Sequence, residues 1–395
     1  MVNMDSTWSI AKVSDIIEFN PYEYIPKNSL AKKVAMENIQ PFTRDISKFE
    51  FASFRGGAKF RNGDTLMARI TPCLENGKTA KVNILDENEI GFGSTEFIVL
   101  RAKPYISDEN FVYYLALSPL LRDKAIKSMV GSSGRQRVQQ PVLEDTLIHV
   151  PSLQGQIYIG NILKILDDKI ALNCQINDYL AQMANAIYMQ FIAGNKSYPV
   201  TLQELCDFQE GYVNPSQNQP EYFDGDVKWL RAVDINESYI TDTSRTLTKT
   251  GYESAGKSAL LFKPNTIAIS KSGTIGRLGI ISNFMCGNRA VINIIPKNGD
   301  LLPFVHQYLK SRQSEFPLLA VGSVQKNLYV SVLQSLIVNV TTTCELVDFC
   351  NQLKPFYETV RQNVLENKRL ALVRDTLLPR LMRAELSKYG LRPGK

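Results

Sequence analysis

A phosphate-binding loop is the first motif in this sequence that would carry chemistry. The run GYESAGKS at 251–258 matches the pattern G-x-x-x-x-G-K-[ST], in which backbone amides cradle phosphates and the lysine reaches the terminal phosphate. Such a loop lies between a buried strand and a helix. Here TDTSRTLTKT precedes the run and a turn containing Pro264 follows it. We therefore expect no nucleotide site at this position.

Two further patterns are typical of enzymes that act on DNA. NPYEY at 20–24 and NPSQ at 214–217 invite comparison with the Asn-Pro-Pro-Tyr motif of methyltransferases, but both lack the second proline. A glycine-rich loop after a buried strand, which would hold the methyl donor, is also missing. A nuclease site would place acidic residues and a lysine around a magnesium ion. The candidate residues for such a site are Glu75, Asp86, Glu96 and Lys78. Acidic residues on exposed loops of a β-rich domain are usually solvated, and the second half offers no equivalent set, so we discount the nuclease reading.

The amino-acid composition limits which ligands and partners the protein can have. The six cysteines have no C-x-x-C spacing and the only histidines are His149 and His306, so we expect no metal site. Lys and Arg outnumber Asp and Glu by 45 to 39, which gives a net charge of +6 and suits a polyanionic partner without requiring one. No signal-like beginning and no apolar run of the roughly 18 residues that span a bilayer is present. We predict a cytoplasmic protein with no membrane partner.

The strands, turns and helices that would position functional side chains occur twice along the chain. Each half has a strand, a glycine-containing turn and a second strand, at 63–80 and 264–280. Each then has a strand-like run and a short helix, and next a Gly/Ser turn leading to a hydrophobic strand, at 129–151 and 320–341. Because the order of elements matches, we predict two similar β-rich domains.

Each half ends in a long amphipathic segment. The segments at about 153–191 and 344–384 carry apolar residues three or four apart, and each would form a helix on the order of 55 Å long. We favour an antiparallel coiled-coil pair. Polar residues at seam-like positions, such as Lys169, Asn173 and Asn367, weaken a plain heptad pattern and would either fix the register or face another partner. The alternative is two independent helices, each packed on its own domain.

The predicted fold is therefore α+β and pseudo-twofold symmetric, with two β-rich domains alternating with two long helices. The predicted boundaries are 1–150 for the first domain, 151–194 for the first helix, 195–341 for the second domain and 342–395 for the second helix and tail.

These segments resemble the specificity subunits of Type I restriction-modification systems. The start of the second half, CDFQEGYVNPSQNQPEYFDGDVKWLRAVDI at 206–235, resembles the family's domain start, with a glycine turn before a Trp-Leu-Arg strand. FKPNTIAISKSGTIG at 262–276 and GDTLMARITPCLENGK at 63–78 resemble its central strands. The helical segments at 153–191 and 365–386, the latter including Leu-Leu-Pro-Arg-Leu, resemble its spacer helices. The opening of the first half lacks the glycine turn and the Trp-Leu-Arg strand.

The resemblance implies a protein with two target-recognition domains, with no catalytic residues of its own and no cofactor. Each would read one half of a split, asymmetric site in double-stranded DNA, and the helix pair would set their spacing. It also implies binding to two methyltransferase (modification) subunits and, in the full complex, to restriction subunits that translocate DNA. The runner-up is a stand-alone DNA-modifying enzyme, a methyltransferase or nuclease, and a third reading is a structural coiled-coil adaptor. The sequence discloses neither the bases recognised nor the spacer length.

DNA contacts are expected at the two glycine turns of each half, because short residues let the backbone approach DNA and Arg, Gln and Asn can read base edges. In the first half the candidates are Arg69, Lys78, Lys81, Arg135, Gln136, Arg137 and Gln139. In the second half they are Lys271, Ser272, Thr274, Arg277, Gln325, Lys326 and Asn327, with Ser323 beside them. We expect about half of this set to contact DNA, mostly at phosphates.

Overall fold

The structure is a computed structural model that describes residues 8–322 and 326–383. Its contacts divide the chain into two compact units. Unit 1 comprises Met1–Ala171 with Lys368–Lys395, and unit 2 comprises Leu172–Asn367. The division falls inside both long helices, so each unit combines one β-rich domain with a stretch of each helix. Gln325 lies outside the described residues, as does the end of the predicted second helix beyond residue 383.

Unit 1 begins with ten short strands interspersed with helices. The strands are β1 (Ser9–Lys12), β2 (Ile17–Phe19), β3 (Leu30–Val34), β4 (Glu50–Ser53), β5 (Ala58–Phe60), β6 (Thr65–Ala68), β7 (Thr79–Lys81), β8 (Gly91–Gly93), β9 (Phe97–Ala102) and β10 (Leu147–Val150). The helices are α1 (Val13–Ile16), α2 (Glu109–Leu117), α3 (Pro119–Lys127), α4 (Gln140–Glu144) and the long α5 (Leu153–Gly194), whose first part belongs to this unit.

The described residues of unit 2 repeat this order with one additional strand and one additional helix. Its strands are β11 (Tyr198–Thr201), β12 (Cys206–Glu210), β13 (Phe223–Leu230), β14 (Tyr239–Ile240), β15 (Thr246–Leu247), β16 (Leu261–Phe262), β17 (Ile267–Ser270), β18 (Leu278–Ile281), β19 (Met285–Gly287), β20 (Val291–Pro296) and β21 (Ile337–Val340). Its helices are α6 (Leu202–Leu205), α7 (Lys249–Glu253), α8 (Leu302–Ser311), α9 (Phe316–Leu319), α10 (Val330–Gln334) and the long α11 (Thr343–Leu381), whose last part belongs to unit 1.

The two domains share one sheet topology, which confirms the predicted repeat. Unit 1 contains the sheets β4-β3-β8-β5 and β2-β9-β6-β7 and the pair β1-β10. Unit 2 contains β15-β13-β19-β16, β12-β20-β17-β18 extended by β14, and the pair β11-β21. In both domains the two central strands, β6 with β9 and β17 with β20, pair antiparallel and are almost wholly buried. The fold thus has two β-rich domains with mixed helix and strand content, which is consistent with the predicted α+β class.

The long helices run antiparallel where they meet. In unit 2 the amide of Asn173 on α5 donates to the side chain of Asn367 on α11 at 2.8 Å. Four residues further along α5, Asn177 pairs with Asn363, which lies four residues earlier on α11. Nearer the other end of this stretch the rings of Phe191 and Phe349 stack at 4.4 Å. The register is therefore constant along unit 2, and Asn173 and Asn367 do meet in the seam between the helices.

The helices also anchor the domains within each unit. In unit 1 the Arg374 guanidinium lies 2.7 Å from Asp167, and both side chains are buried. The hydroxyl of Tyr114, on α2, donates to the other oxygen of Asp167 at 2.7 Å. In unit 2 His306 Nδ1 on α8 lies 2.7 Å from the Tyr357 hydroxyl on α11. Burial lowers the pKa of His306 to about 3, so the imidazole is neutral at pH 7 and acts as a packing residue.

Candidate nucleic acid interface

The structure brings the two candidate loops of unit 1 together. The turn that follows β6 and the loop between α3 and α4 lie side by side. Arg137 forms backbone bridges both with Val130, across its own loop, and with Ile70, in the other turn. The Thr71 amide donates to the Gln136 carbonyl at 3.1 Å, and the Thr71 hydroxyl accepts from the Gln136 amide at 2.9 Å. Candidates that are some 65 residues apart in sequence therefore form one surface.

An arginine and a carboxylate occupy the middle of this surface. Arg137 Nη2 lies 2.6 Å from Glu96 Oε1, and Arg137 Nε donates to Glu96 Oε1 at 3.1 Å and to Oε2 at 3.0 Å. This contact lowers the pKa of Glu96, which is ionised at neutral pH. The backbone amide of Arg69 donates to the Glu96 carbonyl at 2.9 Å, so Arg69 lies beside the pair.

The remaining loop candidates of unit 1 differ in their exposure. Arg135 and Gln139 are exposed, and Gln136 is half-buried. The Gln139 side chain donates to the Arg137 carbonyl at 3.3 Å, which ties the end of the loop to its centre. These side chains lie on the same loop as Arg137, and those of Arg135 and Gln139 are accessible to a ligand.

Lys78 and Lys81 are held in contacts inside the unit. Lys78 Nζ donates to the Met36 carbonyl at 2.8 Å and is half-buried. Lys81 is buried, and its ammonium lies 2.8 Å from Glu109 and 2.6 Å from the Asn110 side-chain oxygen. Because its ammonium is buried and engaged by Glu109 and Asn110, Lys81 is not available to a phosphate, in contrast to the prediction from the sequence.

Unit 2 forms the equivalent surface with different residues. The Leu328 amide donates to the Lys271 carbonyl at 2.9 Å, and Asn327 bridges to Val321 across its loop. Lys271 Nζ lies 2.8 Å from Glu210, and 5.5 Å from the centroid of the Tyr329 ring. The loops after β17 and before α10 therefore converge here, together with the end of β12.

The other unit 2 candidates surround this point. Lys326 and Thr274 are exposed, whereas Ser272, Arg277 and Asn327 are half-buried. The Arg277 amide donates to the Ser270 hydroxyl at 2.8 Å, which closes the turn after β17. The predicted contact at Gln325 falls outside the described residues.

Backbone hydrogen bonds give the residue equivalence between the two units. Arg69 N–H donates to the Glu96 carbonyl, and Lys271 N–H donates to the Ala290 carbonyl. The loop bridges at Arg137 and Asn327 match in the same way. The equivalent pairs are Arg69 and Lys271, Glu96 and Ala290, and Arg137 and Asn327. The same scaffold thus presents different chemistry in each domain.

Sequence reasoning missed three contributors, Glu96, Glu210 and Tyr329. Glu96 was considered only as a magnesium ligand, and its partner Arg137 is 41 residues away in sequence. Glu210 accepts from Tyr212 at 2.7 Å as well as from Lys271. Although partial burial raises it, the hydrogen bonds from these two residues hold the pKa of Glu210 below its usual value. No local pattern reports such cross-loop pairs.

The enzyme-like motifs do not assemble into sites in the described residues. Asp86 pairs with Lys32 at 2.9 Å, whereas Glu96 pairs with Arg137, so the nuclease-like carboxylates do not converge. Within residues 8–322 and 326–383, no group of three acidic, cysteine or histidine side chains is arranged to hold a metal ion. Gly251 of the phosphate-loop match lies inside α7, where an added Cβ would collide with the Tyr222 carbonyl at 2.2 Å. The Gly251 N–H donates to the Thr248 hydroxyl at 3.1 Å, so this amide caps α7 and does not belong to a phosphate-binding loop.

Comparison with known proteins assigns these paired domains to a family. The sequence profile described as "Type I restriction modification DNA specificity domain" matches residues 5–182 and 196–345. The chain belongs to this family. Each matched segment covers one β-rich domain, so this is a specificity-domain chain with two copies of the domain.

Individual relatives agree with this assignment. The chain is 24% identical to the Type I restriction enzyme HindI specificity subunit of Haemophilus influenzae, over 82% of this chain and 87% of that protein. It is 37% identical to the EcoAI specificity subunit of Escherichia coli over 38% of this chain and 26% of that protein. The crystal structure of a Type I restriction-modification S subunit from M. genitalium shares the fold. Its TM-score is 0.56 at 15% identity, over 97% of this chain and 98% of that one.

No helix among the described residues of this specificity-domain chain is long and apolar enough to cross a membrane.

Proposed function

We propose that this chain is the DNA-specificity subunit of a Type I restriction-modification complex and has no catalytic role of its own. The observation that carries the proposal is the duplicated specificity domain, in which one scaffold presents different side chains at matching positions. Arg137 and Glu96 of the first domain are replaced by Asn327 and Ala290 in the second. Two domains with different reading residues suit a split, asymmetric site in double-stranded DNA.

The surfaces that we assign to DNA are the paired loops of each unit. In unit 1 they comprise Arg69, Lys78, Arg135, Gln136, Arg137 and Gln139. In unit 2 they comprise Lys271, Ser272, Thr274, Arg277, Lys326 and Asn327. The exposed cations would neutralise phosphates and supply most of the affinity, whereas the polar side chains at the loop centres would reach base edges.

The long helices supply the surface for the modification subunits in this proposal. Along the unit 2 stretch of α5 the side chains of Leu172, Tyr179 and Met183 are each at least 49% exposed. Spacings of seven and four residues keep them on nearly one face of the helix. An apolar face of this kind marks a protein interaction site. We assign it to two methyltransferase subunits, to which restriction subunits that translocate DNA are added in the full complex. We place this complex in the cytoplasm, where it meets DNA.

Mapping of methylated bases tests the proposal directly. The chain is co-expressed with its modification subunit in a host without other DNA methylation, any complex is purified, and methylated bases are located across the host genome. We expect a stable complex and one split motif that is methylated only when this chain is present.

Two other outcomes would contradict the proposal. Methylation that is independent of this chain, with no complex formed, would exclude a specificity role. Binding of the methyl donor by the purified chain alone would instead favour a stand-alone methyltransferase.

A further inference from the structure

The Arg137 side chain in unit 1 is fixed along one edge and open along the other. Glu96 engages the edge formed by Nε and Nη2, at distances of 2.6 to 3.1 Å. No contact to Arg137 Nη1 is present within the described residues. The side chain is 46% exposed, and the contact with Glu96 leaves the N–H groups of the edge formed by Nη1 and Nη2 for a ligand. A guanidinium held in this way still offers two parallel N–H donors.

The backbone that carries Arg137 is equally constrained. Bridges to Val130 and Ile70 hold the residue on both sides, and the Val138 amide that follows donates to the Arg69 carbonyl at 2.9 Å. Because main chain and side chain are both held before binding, little conformational entropy remains to be lost on contact with DNA. An arginine used only for phosphate contact needs no such arrangement, since a flexible cation serves equally well.

The donor pattern of the open edge selects one base. Guanine presents two acceptors, O6 and N7, in the major groove, and these match two parallel N–H donors. Adenine presents N7 beside an amino donor, which opposes one of the two guanidinium N–H groups. Resting on the proposed DNA-specificity function, we propose that Arg137 reads a guanine in the half-site of the first domain and that Glu96 is its positioning residue.

The second domain provides an internal comparison. Ala290 stands at the position of Glu96 and Asn327 at the position of Arg137, so a carboxylate-supported arginine is absent from this position of unit 2. The inferred guanine contact therefore belongs to one half-site only. Substitutions at Arg137 or Glu96 should leave the other half-site unchanged.

The test uses the complex of the full chain with its modification subunit. Methylated motifs are mapped for the wild type and for the variants Arg137→Ala, Arg137→Lys, Glu96→Gln and Arg135→Ala. We expect Arg137→Ala and Arg137→Lys to relax one guanine position in one half-site, with a loss of discrimination on the order of tenfold to a hundredfold. Glu96→Gln should relax the same position by a smaller factor.

Arg135→Ala is the matched control from the same loop. Arg135 is exposed and has no side-chain partner within the described residues, which suits a phosphate contact. Its replacement should weaken binding at all sequences alike and reduce the slope of log affinity against log salt by about 1, with no change of motif.

Duplexes with a modified base can distinguish an Arg137 that reads a base from an Arg137 that only stabilises the domain. The affinity of each complex is measured for duplexes that carry guanine or 7-deazaguanine at the relaxed position, since the latter lacks the N7 acceptor. We expect the wild type to lose affinity for 7-deazaguanine and Arg137→Ala to bind both duplexes equally. A structural defect would lower both affinities together and leave their ratio unchanged.

The outcomes that overturn the inference are distinct. If the wild type methylates a split motif but Arg137→Ala retains every base preference, Arg137 does not read a base. A Glu96→Gln variant that retains the preference of the wild type removes the positioning role. A wild type without any chain-dependent motif contradicts the proposed function itself, and this inference with it.

Discussion

At the scale of single residues, the buried amide of Asn293 is the clearest anomaly in the structure. Asn293 on β20 lies opposite Ala268 and is fully buried, and neither atom of its amide has a hydrogen-bond partner in the described residues. The equivalent residue of unit 1 is Val99, which lies opposite Leu66. A buried amide without partners costs about 1 to 3 kcal/mol. We therefore expect Asn293→Val to raise the free energy of unfolding by about 1 to 2 kcal/mol, measured as a higher unfolding temperature of the purified complex.

The reciprocal substitution serves as the control for this prediction. Val99→Asn places the same amide into the apolar core of unit 1 and should lower the unfolding temperature. If Asn293→Val proved destabilising, the amide would have to make a polar contact on which the second domain depends.

At the scale of elements, the pairing of the helices makes a prediction that chemical cross-linking can check. In unit 2 the Asn367 amide donates to Cys174 Sγ at 3.5 Å. We expect Asn367→Cys to form a disulfide with Cys174 under mild oxidation, because the antiparallel register brings the two side chains together. Non-reducing electrophoresis after limited proteolysis would detect the joined fragments.

Two further changes make that experiment specific. Cys344, which is also exposed, is replaced by serine in all variants. Asn363→Cys lies one helical turn away and contacts Asn177 rather than Cys174, so it should not cross-link efficiently. Equal cross-linking of the two variants would mean that the register is not fixed.

The sequence was most informative about the secondary-structure elements and their order along the chain. Helix periodicity and the repeated glycine turns are local patterns, and they predicted the duplicated domain and the long paired helices. Local patterns do not report which loops meet. The contact of Arg137 with Glu96 and the occupation of the Lys81 ammonium by Glu109 both depend on tertiary packing. Local patterns also could not predict that each long helix is divided between the two compact units, because this division depends on which domain each helical stretch contacts.

At the scale of the whole molecule, the exposed apolar face of α5 links solubility to assembly. Leu172 is 49% exposed and Tyr179 is 65% exposed, and such a face favours association when no partner covers it. We expect the double variant Leu172→Glu and Tyr179→Glu to be more soluble than the wild-type chain when expressed alone. The amount of modification subunit that co-purifies with this variant should fall about tenfold or more, because burying two charges in an interface is unfavourable.

Asn185→Glu is the matched control, since it adds a charge to an exposed position about 120° around the same helix from Tyr179. Binding of the modification subunit that survives the double substitution would place the docking surface elsewhere on the chain, and the apolar face would then need another partner.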